Sequence, residues 1–299
     1  MEPDIVGAGL AGLIAAQAFP RSPIFEQMPE PAEMHKALLR FRTDKVAQLV
    51  GIEFKPVTVH KGIWMDGGYQ APNIQLANLY SRKVIGSLLD RSIWRLDPVT
   101  RWVAPLDLYE RLLTAAQERV HWAASYLYEG QRTAISTAPL PVVLTACGLD
   151  HPVEFKHAAI SVARFTVPGA DVYQTVYFPS ESHSLYRASI TGNTLICEFN
   201  SKHYADDDEL WQMELSHAFA LDGDIIQTDA ISQRYGKIAP IDENIRKNLI
   251  SHLTLEYNIF SLGRFATWRN ILLDDVVHDI AVIKQLLTAS QYDRRIAAL

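Results

Sequence analysis

A chain of 299 residues, 48% hydrophobic and 21% charged, holds enough apolar material for one large core or two smaller ones, which excludes a disordered chain, a collagen-like repeat and a small disulfide scaffold. Its 28 basic and 34 acidic residues sum to −6, so no whole-chain field attracts phosphate polymers, although a local basic groove is compatible with that sum. Two cysteines, Cys147 and Cys197, are too few for a disulfide framework or a thiolate metal site and are expected as free thiols in a reducing compartment.

The apolar stretch Ile5 to Phe19 lacks the basic leader of a signal peptide, because the chain opens Met1-Glu2-Pro3-Asp4. No other segment approaches the roughly 20 apolar residues needed to cross a bilayer, so a soluble, cytoplasmic protein without a membrane partner is expected. The same stretch contains G-x-G-x-x-G between a short strand and an alanine-rich helix start, Asp4-Ile5-Val6-Gly7-Ala8-Gly9-Leu10-Ala11-Gly12. Gly7 permits the turn, Gly9 lets backbone approach a pyrophosphate, and Gly12 lets the helix pack close to the strand. A second strand, Ser22 to Phe25, ends in Glu26 and Gln27, placing a carboxylate 19 positions after Gly7 to accept hydrogen bonds from ribose hydroxyls. Strand, turn, helix, strand and acid in register point to a dinucleotide, without distinguishing FAD from NAD.

Downstream, Arg40 and Arg42 in His35 to Arg42 are placed either to neutralise phosphate or to form a solvated basic face. A short helix is predicted over 44–50, a strand over Lys55 to Trp64, and a hairpin turn at Asp66-Gly67-Gly68. From there to Trp102 the chain reads as irregular, interleaving Arg82, Lys83, Arg91, Arg95 and Arg101 with Trp94 and Trp102, either a phosphate-tracking strip or a solvated loop. A helix over Asp107 to Gln117 precedes alternating strands across 151–200, and Asp206-Asp207-Asp208-Glu209 opens a helix to about Leu221 as a cap rather than a metal site. Asn258 to Trp268 reads as a buried strand entering a Gly263-Arg264 turn, and an amphipathic helix runs from Asp274 or Asp275 through Val276, Ile280, Ile283 and Leu287.

Four separated places carry a resemblance to the superfamily of flavin-dependent amine oxidases, protoporphyrinogen oxidases and UDP-galactopyranose mutases. They are the glycine motif, Thr133 to Pro141, Tyr177-Phe178-Pro179 with Tyr186-Arg187-Ala188-Ser189, and Gly263-Arg264 with its helix. The resemblance implies FAD and an α/β fold: a Rossmann-like, glutathione-reductase-like FAD domain (1–50, 106–150 and 236–299) interleaved with a smaller sheet-based substrate domain (51–105 and 151–235). It implies cofactor contacts from Gly7, Ala8, Gly9, Leu10, Ala11, Gly12, Glu26, Gln27, Arg40, Gly263 and Arg264. Asp274, Asp275 and Val276 would meet the flavin ring through backbone at a helix N-terminus, which stabilises an anion without titrating. A surface turn arginine is the alternative for Arg264.

Over the ring the resemblance places His60 as general base or hydrogen-bond partner, and Tyr186 with Arg187, the arginine holding a carboxylate or phosphate. A partly buried strand histidine and a cross-strand salt bridge are the competing readings. Tyr235 and Trp268 are candidate pocket walls or core, and His278 is structural. Aligned without gaps on Gly263-Arg264, the mutases carry a tyrosine where this chain has Asn270 and an acid where it has Leu272. The chain is also similar, through fewer features, to short bacteriophage flavoproteins associated with hypermodified thymine in DNA.

Three functions follow as expectations: an FAD enzyme acting at a C–N or adjacent C–H bond of an amine or amino-acyl substrate, with an amino-acyl-modified thymine in bacteriophage DNA as one such substrate; a sugar-nucleotide mutase; or a non-catalytic flavin-binding module. No metal is expected, a viral protein would work in the host cytoplasm, and the sequence leaves the oligomeric state open.

Overall fold

The computed structural model describes residues 2–31, 39–89, 92–151, 153–200, 208–221 and 225–289. In chain order they form β1 (Asp4–Val6), α1 (Leu10–Ala18), β2 (Ile24–Phe25), β3 (Arg40–Phe41), α2 (Lys45–Val50), β4 (Lys55–Met65), β5 (Gly68–Tyr69), α3 (Ile74–Ile85), β6 (Val99–Val103), α4 (Leu108–Ala116), β7 (Val120–His121), β8 (Ala134–Ser136) and α5 (Leu140–Ala146). The chain continues through β9 (His157–Thr166), β10 (Val172–Tyr177), β11 (Leu185–Gly192), β12 (Thr194–Phe199), α6 (Asp208–Phe219), β13 (Ile226–Ile238), α7 (Glu243–Tyr257), β14 (Ile259–Ser261) and α8 (Leu273–Thr288). Two compact units interleave along it: Met1–Lys55, Trp102–Lys156 and Pro240–Leu299 make the first, Pro56–Arg101 and His157–Ala239 the second. Among the described residues no helix is long and apolar enough to cross a membrane.

The first unit is a Rossmann-like α/β layer. Its sheet runs β14-β8-β1-β2-β7, all parallel, with Ile5 between Ile24 and Ile135, and Ile135 beside Phe260. Parallel strands are covered on both faces, so their centres are apolar, and Ile5, Ile24, Ile135 and Phe260 are all buried. Helix α1 reaches this sheet through small residues, Gly12, Ala15 and Ala16, beside Leu13 and Ile14. Helix α8 adds Val276, Ile280 and Ile283, one helical stripe, to the same core. Each such aliphatic side chain contributes about 1.5–3 kcal/mol on burial.

The second unit is built on a sheet in the order β13-β9-β12-β11-β10-β4, antiparallel except where β10 meets β4. Period-two alternation divides its residues between two faces. Trp64, Val176 and Leu185 join Trp211 and Leu215 of α6 in one cluster, while their chain neighbours Ile63, Tyr177 and Tyr186 join Leu76, Tyr80 and Val84 of α3 in another. The β4–β5 hairpin turns at Asp66 and Gly67, both at positive φ, 55° and 73°, as the two-residue turn requires.

Two helices differ from the sequence reading. The stretch read as irregular up to Trp102 contains α3, whose Asn73 cap accepts a hydrogen bond from the Leu76 amide at 2.9 Å and whose end is marked by Gly86 at φ 73°. Helix α7, not read from the sequence, is capped by Asp242, which accepts from the amides of Asn244 and Ile245 at 3.0 Å, and ends at Asn258 in the left-handed region. The basic strip is also corrected at one position: Lys83 is buried, and its Nζ donates to the carbonyls of Phe178, Ser180 and Leu185 at 3.0, 2.5 and 2.5 Å, so it faces protein rather than phosphate. Arg91, Asp206, Asp207 and 35–38 lie outside the described residues. Both cysteines are free.

Candidate functional site

In the first unit the chain leaves β1 through Gly7 at φ 101°, a conformation open to glycine; a Cβ there would also stand 2.3 Å from Thr137 Oγ1. Thr137 donates through both N and Oγ1 to the Val6 carbonyl at 2.9 Å, so the end of β8 fixes the turn. A Cβ on Gly12 would lie 1.9 Å from the Gly7 carbonyl oxygen, which brings α1 directly onto the strand end. Gly9 caps α1 without a side-chain bond, no acid occupies the first turn, and the intrahelical ladder begins at the Leu13 amide bonded to the Gly9 carbonyl at 2.9 Å. The preceding amides and the positive end of the helix dipole therefore lack an acidic side chain of this helix.

Glu26 ends β2 beside this turn. Its Oε2 accepts from the Ala8 amide at 2.7 Å and its Oε1 from the Met28 amide at 3.0 Å, while Ala8 offers its carbonyl to Tyr109 Oη at 3.2 Å. Gln27 is exposed. The C-terminal turn arrives from the other side of the sheet: the Leu262 amide bonds the Ser136 carbonyl at 2.9 Å, and Gly263, at φ 88°, lies so near α1 that its Cβ would stand 3.1 Å from Ala11 Cβ. Arg264 Nη2 donates to Asn270 Oδ1 at 2.9 Å, and its guanidinium lies 5.9 Å from the Phe265 ring centre. Asn270 is thus a partner of the arginine.

The start of α8 is tied to β3. Asp274 is buried and accepts from the amides of Arg42 and Thr43 at 3.1 and 2.9 Å and from Thr43 Oγ1 at 3.0 Å. Asp275 accepts from the Leu272 amide at 2.9 Å and pairs with Arg42 Nη2 at 2.6 Å. Burial alone would push the Asp275 carboxyl up, but the Leu272 amide and the Arg42 guanidinium outweigh it and hold the group below its ordinary range. Val276 turns its side chain into the core. Arg40 is half-buried on β3, opposite Val103.

In the second unit Tyr186 and Arg187 meet at Glu198, an acid the sequence reading did not single out. Arg187 faces Glu198 in the β11–β12 register and its Nε donates to Oε2. Register shifts between Leu185 and Arg187, and through that irregularity Tyr186 Oη also reaches Glu198, donating to Oε1 at 3.2 Å. Lys237 Nζ lies 5.2 Å from the Tyr186 ring centre. Burial, reinforced by Glu198, pushes the Tyr186 phenol well above its ordinary range. Burial raises Glu198 too, but Arg187 and Lys237 overcome it and keep the carboxylate ionised.

His60 stands exposed on β4, opposite Gln174 and separated from β11 by β10. Next to it, Lys61 Nζ donates to the Arg95 carbonyl at 3.4 Å, and burial together with Arg101 lowers its pKa. Trp268 is core, packed edge-on against Phe155 at 4.8 Å, and His278 is exposed. The side chain of Tyr235 lies outside the described residues. Among the described residues no group of three or more His, Cys, Asp and Glu is placed to hold a metal ion.

No family model and no curated protein matches this sequence. Solved structures do match the fold. Reduced UDP-galactopyranose mutase superposes with a TM-score of 0.68 at 14% identity, over 96% of this chain and 94% of that one. The PF1083 protein from Pyrococcus furiosus gives 0.58 at 12%, over 97% and 98%. Aklavinone-11 hydroxylase, solved with FAD and aklavinone, gives 0.53 at 12%, over 96% of this chain and 62% of that one. At these identities the likeness shows one thing: this chain has the α/β fold of flavin-dependent enzymes.

Proposed function

We propose that this protein is an FAD-dependent oxidoreductase or isomerase that transforms an amine or amino-acyl small molecule at a C–N or adjacent C–H bond. The observation that carries the flavin reading is the approach of Gly263 to Ala11 at the N-terminus of α1, in a cradle where Cβ atoms on Gly7 and Gly12 would collide with Thr137 and with backbone. Such a cradle fits a pyrophosphate: the first amides of α1, at Leu10 and Ala11, supply donors and dipole. Glu26 and Gln27 take the ribose hydroxyls, and Arg40 and Arg264 offset phosphate charge. Backbone at Asp274, Asp275 and Val276 would hold the flavin ring, and the α8 dipole would favour negative charge there. When bound, FAD supplies an acceptor or donor of electron pairs.

In the substrate unit His60, exposed on β4, lies by strand alternation on the sheet face of Trp64 and α6, opposite the face of Ile63, Tyr177 and Arg187, so the substrate is left to Tyr186 and Arg187 and His60 transfers no proton to it. Tyr186, fully buried and donating its one proton to Glu198, orients that carboxylate, and Arg187, whose side chain is 35% exposed beside Glu198, attracts a substrate carboxylate. The variant in which the substrate is a base in DNA loses support with Lys83, whose ammonium is spent on three carbonyls.

A sugar-nucleotide mutase is the second reading, favoured by the likeness to UDP-galactopyranose mutase over nearly the whole of both chains. Against it stand Asn270, bonded to Arg264, and Leu272, an aliphatic residue at the α8 cap.

The absorption spectrum of freshly purified protein, and of protein incubated with FAD, tests the cofactor: absence of bound flavin in both refutes the whole reading. Anaerobic bleaching by amines supports the first function, and turnover of a UDP-sugar only after prior reduction supports the second. Duplex DNA titrated at two salt concentrations is expected to show no salt-sensitive binding.

A further inference from the structure

Arg246 lies in the first turn of α7, only 8% exposed, with its guanidinium divided between two partners. Nε and Nη2 meet both oxygens of Glu243 at 2.7 and 2.6 Å, and Nη1 donates to the carbonyl of Thr267 at 3.1 Å. Thr267 closes the turn on itself: its amide and its Oγ1 donate to the Gly263 carbonyl at 3.0 and 2.7 Å. Arg269 completes the frame, donating from Nε to Thr267 Oγ1 at 3.2 Å and pairing with Asp279 of α8. The relay Glu243–Arg246–Thr267–Gly263 thus ends at the residue seated against Ala11.

A buried guanidinium is costly to desolvate, and its retention implies that its fork is used. Lysine offers no planar fork and cannot hold a carboxylate in bidentate fashion while donating in a third direction. Phe265, inside the same turn, gives its carbonyl to the Leu140 amide at 2.9 Å, and the Arg269 amide returns to the Arg264 carbonyl at 3.1 Å. With these ends fixed, the placement of Gly263 and Arg264 depends on whether the Thr267 corner is held. Arg246 holds it from outside the turn.

We propose that Arg246 is a positioning residue for the dinucleotide: by fixing Thr267 it keeps the Gly263–Arg264 turn seated on the N-terminus of α1 in advance of cofactor binding. This rests on the flavin reading above. Preorganisation lowers the ordering cost at binding, so the effect falls on FAD affinity and on the state of the turn in the empty protein.

The experiment compares wild type with Arg246→Met and Arg246→Lys. In flavin-free protein, hydrogen exchange at the Thr267 and Arg269 amides is expected to quicken about tenfold or more in Arg246→Met, while the Ile5 amide in β1 stays protected. FAD should bind about tenfold to a hundredfold more weakly, Arg246→Lys should fall between, and ethylguanidinium should restore part of the affinity to an Arg246→Ala variant. Local glue alone would lower the melting temperature without moving FAD affinity in the folded protein, and that result overturns the proposal. So does unchanged exchange in Arg246→Met. If that variant does not fold, Arg246→Lys, which keeps the charge and loses the planar fork, must show the same pair of changes in smaller measure. A wild type that takes up no FAD sinks the flavin reading by itself, a failure distinct from a wild type that binds FAD with an affinity indifferent to position 246.

Discussion

Gly12 and Gly7 are in backbone contact: a methyl group at position 12 would lie 1.9 Å from the Gly7 carbonyl oxygen. Both partners are main chain, so no side chain can swing away to make room. Gly12→Ala is expected to lose at least about 2 kcal/mol of stability, as overpacked sites do, and to lose flavin uptake with it. A thermal melt beside an absorption spectrum measures both; a variant that keeps wild-type values in each would show that α1 can move away from the strand.

His183 links stability to pH. It is buried, its Nδ1 has no hydrogen-bond partner, and burial together with the nearby Lys83 ammonium lowers its pKa from 6.5 to about 4. The folded state therefore holds the neutral ring and binds fewer protons than the unfolded chain, so the contribution is fully present above 6.5 and is lost as pH falls towards 4. The loss over that window amounts to at most about 3 kcal/mol. Denaturant midpoints measured from pH 7 to 4 should decline in wild type and decline less in His183→Phe.

Lys83→Met would strand three carbonyls that now share one ammonium. A destabilisation of about 3 kcal/mol is expected from the unmet acceptors, with no change in affinity for duplex DNA. An unimpaired melt together with weakened DNA binding would return Lys83 to the surface strip.

Arg187 and Glu198 form a pair in which removal of either partner leaves the other charge half enclosed. Arg187→Met and Glu198→Gln should each cost about 2 kcal/mol, less than a fully enclosed pair because the arginine is 35% exposed, and the double variant should cost less than their sum. A double-mutant cycle in denaturant reads the coupling, and strict additivity would show that the pair holds nothing.

Asp274→Ala removes the acceptor for two amides and a hydroxyl on residues 42 and 43, which anchors β3 to α8. We expect a loss of about 2–3 kcal/mol and faster exchange at the Arg42 and Thr43 amides; Asp274→Asn, keeping one carbonyl oxygen, should lose less.

What could be read from the sequence follows the range of the interactions involved. Gly7, Gly9 and Gly12 sit in a strand–turn–helix whose chemistry is local, and α8 carries its stripe and its acidic start in consecutive residues. Helix α3 had the same local marks, Asn73 before it and Gly86 after it, but Asn78, Arg82 and Lys83 between them masked the buried set Leu76, Ala77, Tyr80 and Val84. Lys83 looked solvated because nothing nearby in sequence names its partners, carbonyls some hundred residues away. Glu198 was invisible for another reason. Its approach to both Tyr186 and Arg187 depends on a shift in strand register that no spacing rule foretells.

The order β14-β8-β1-β2-β7 also has a consequence for how the protein comes into being. As the ribosome releases the chain, β1 can gain β2 almost at once, but its other edge stays open until Ala134–Ser136 emerges, and β8 in turn waits for Ile259–Ser261. Every pairing in that layer is parallel, and all but the first are distant in sequence, so β1 keeps one edge open through nearly half of translation. Slow folding of this layer follows from the arrangement of its strands.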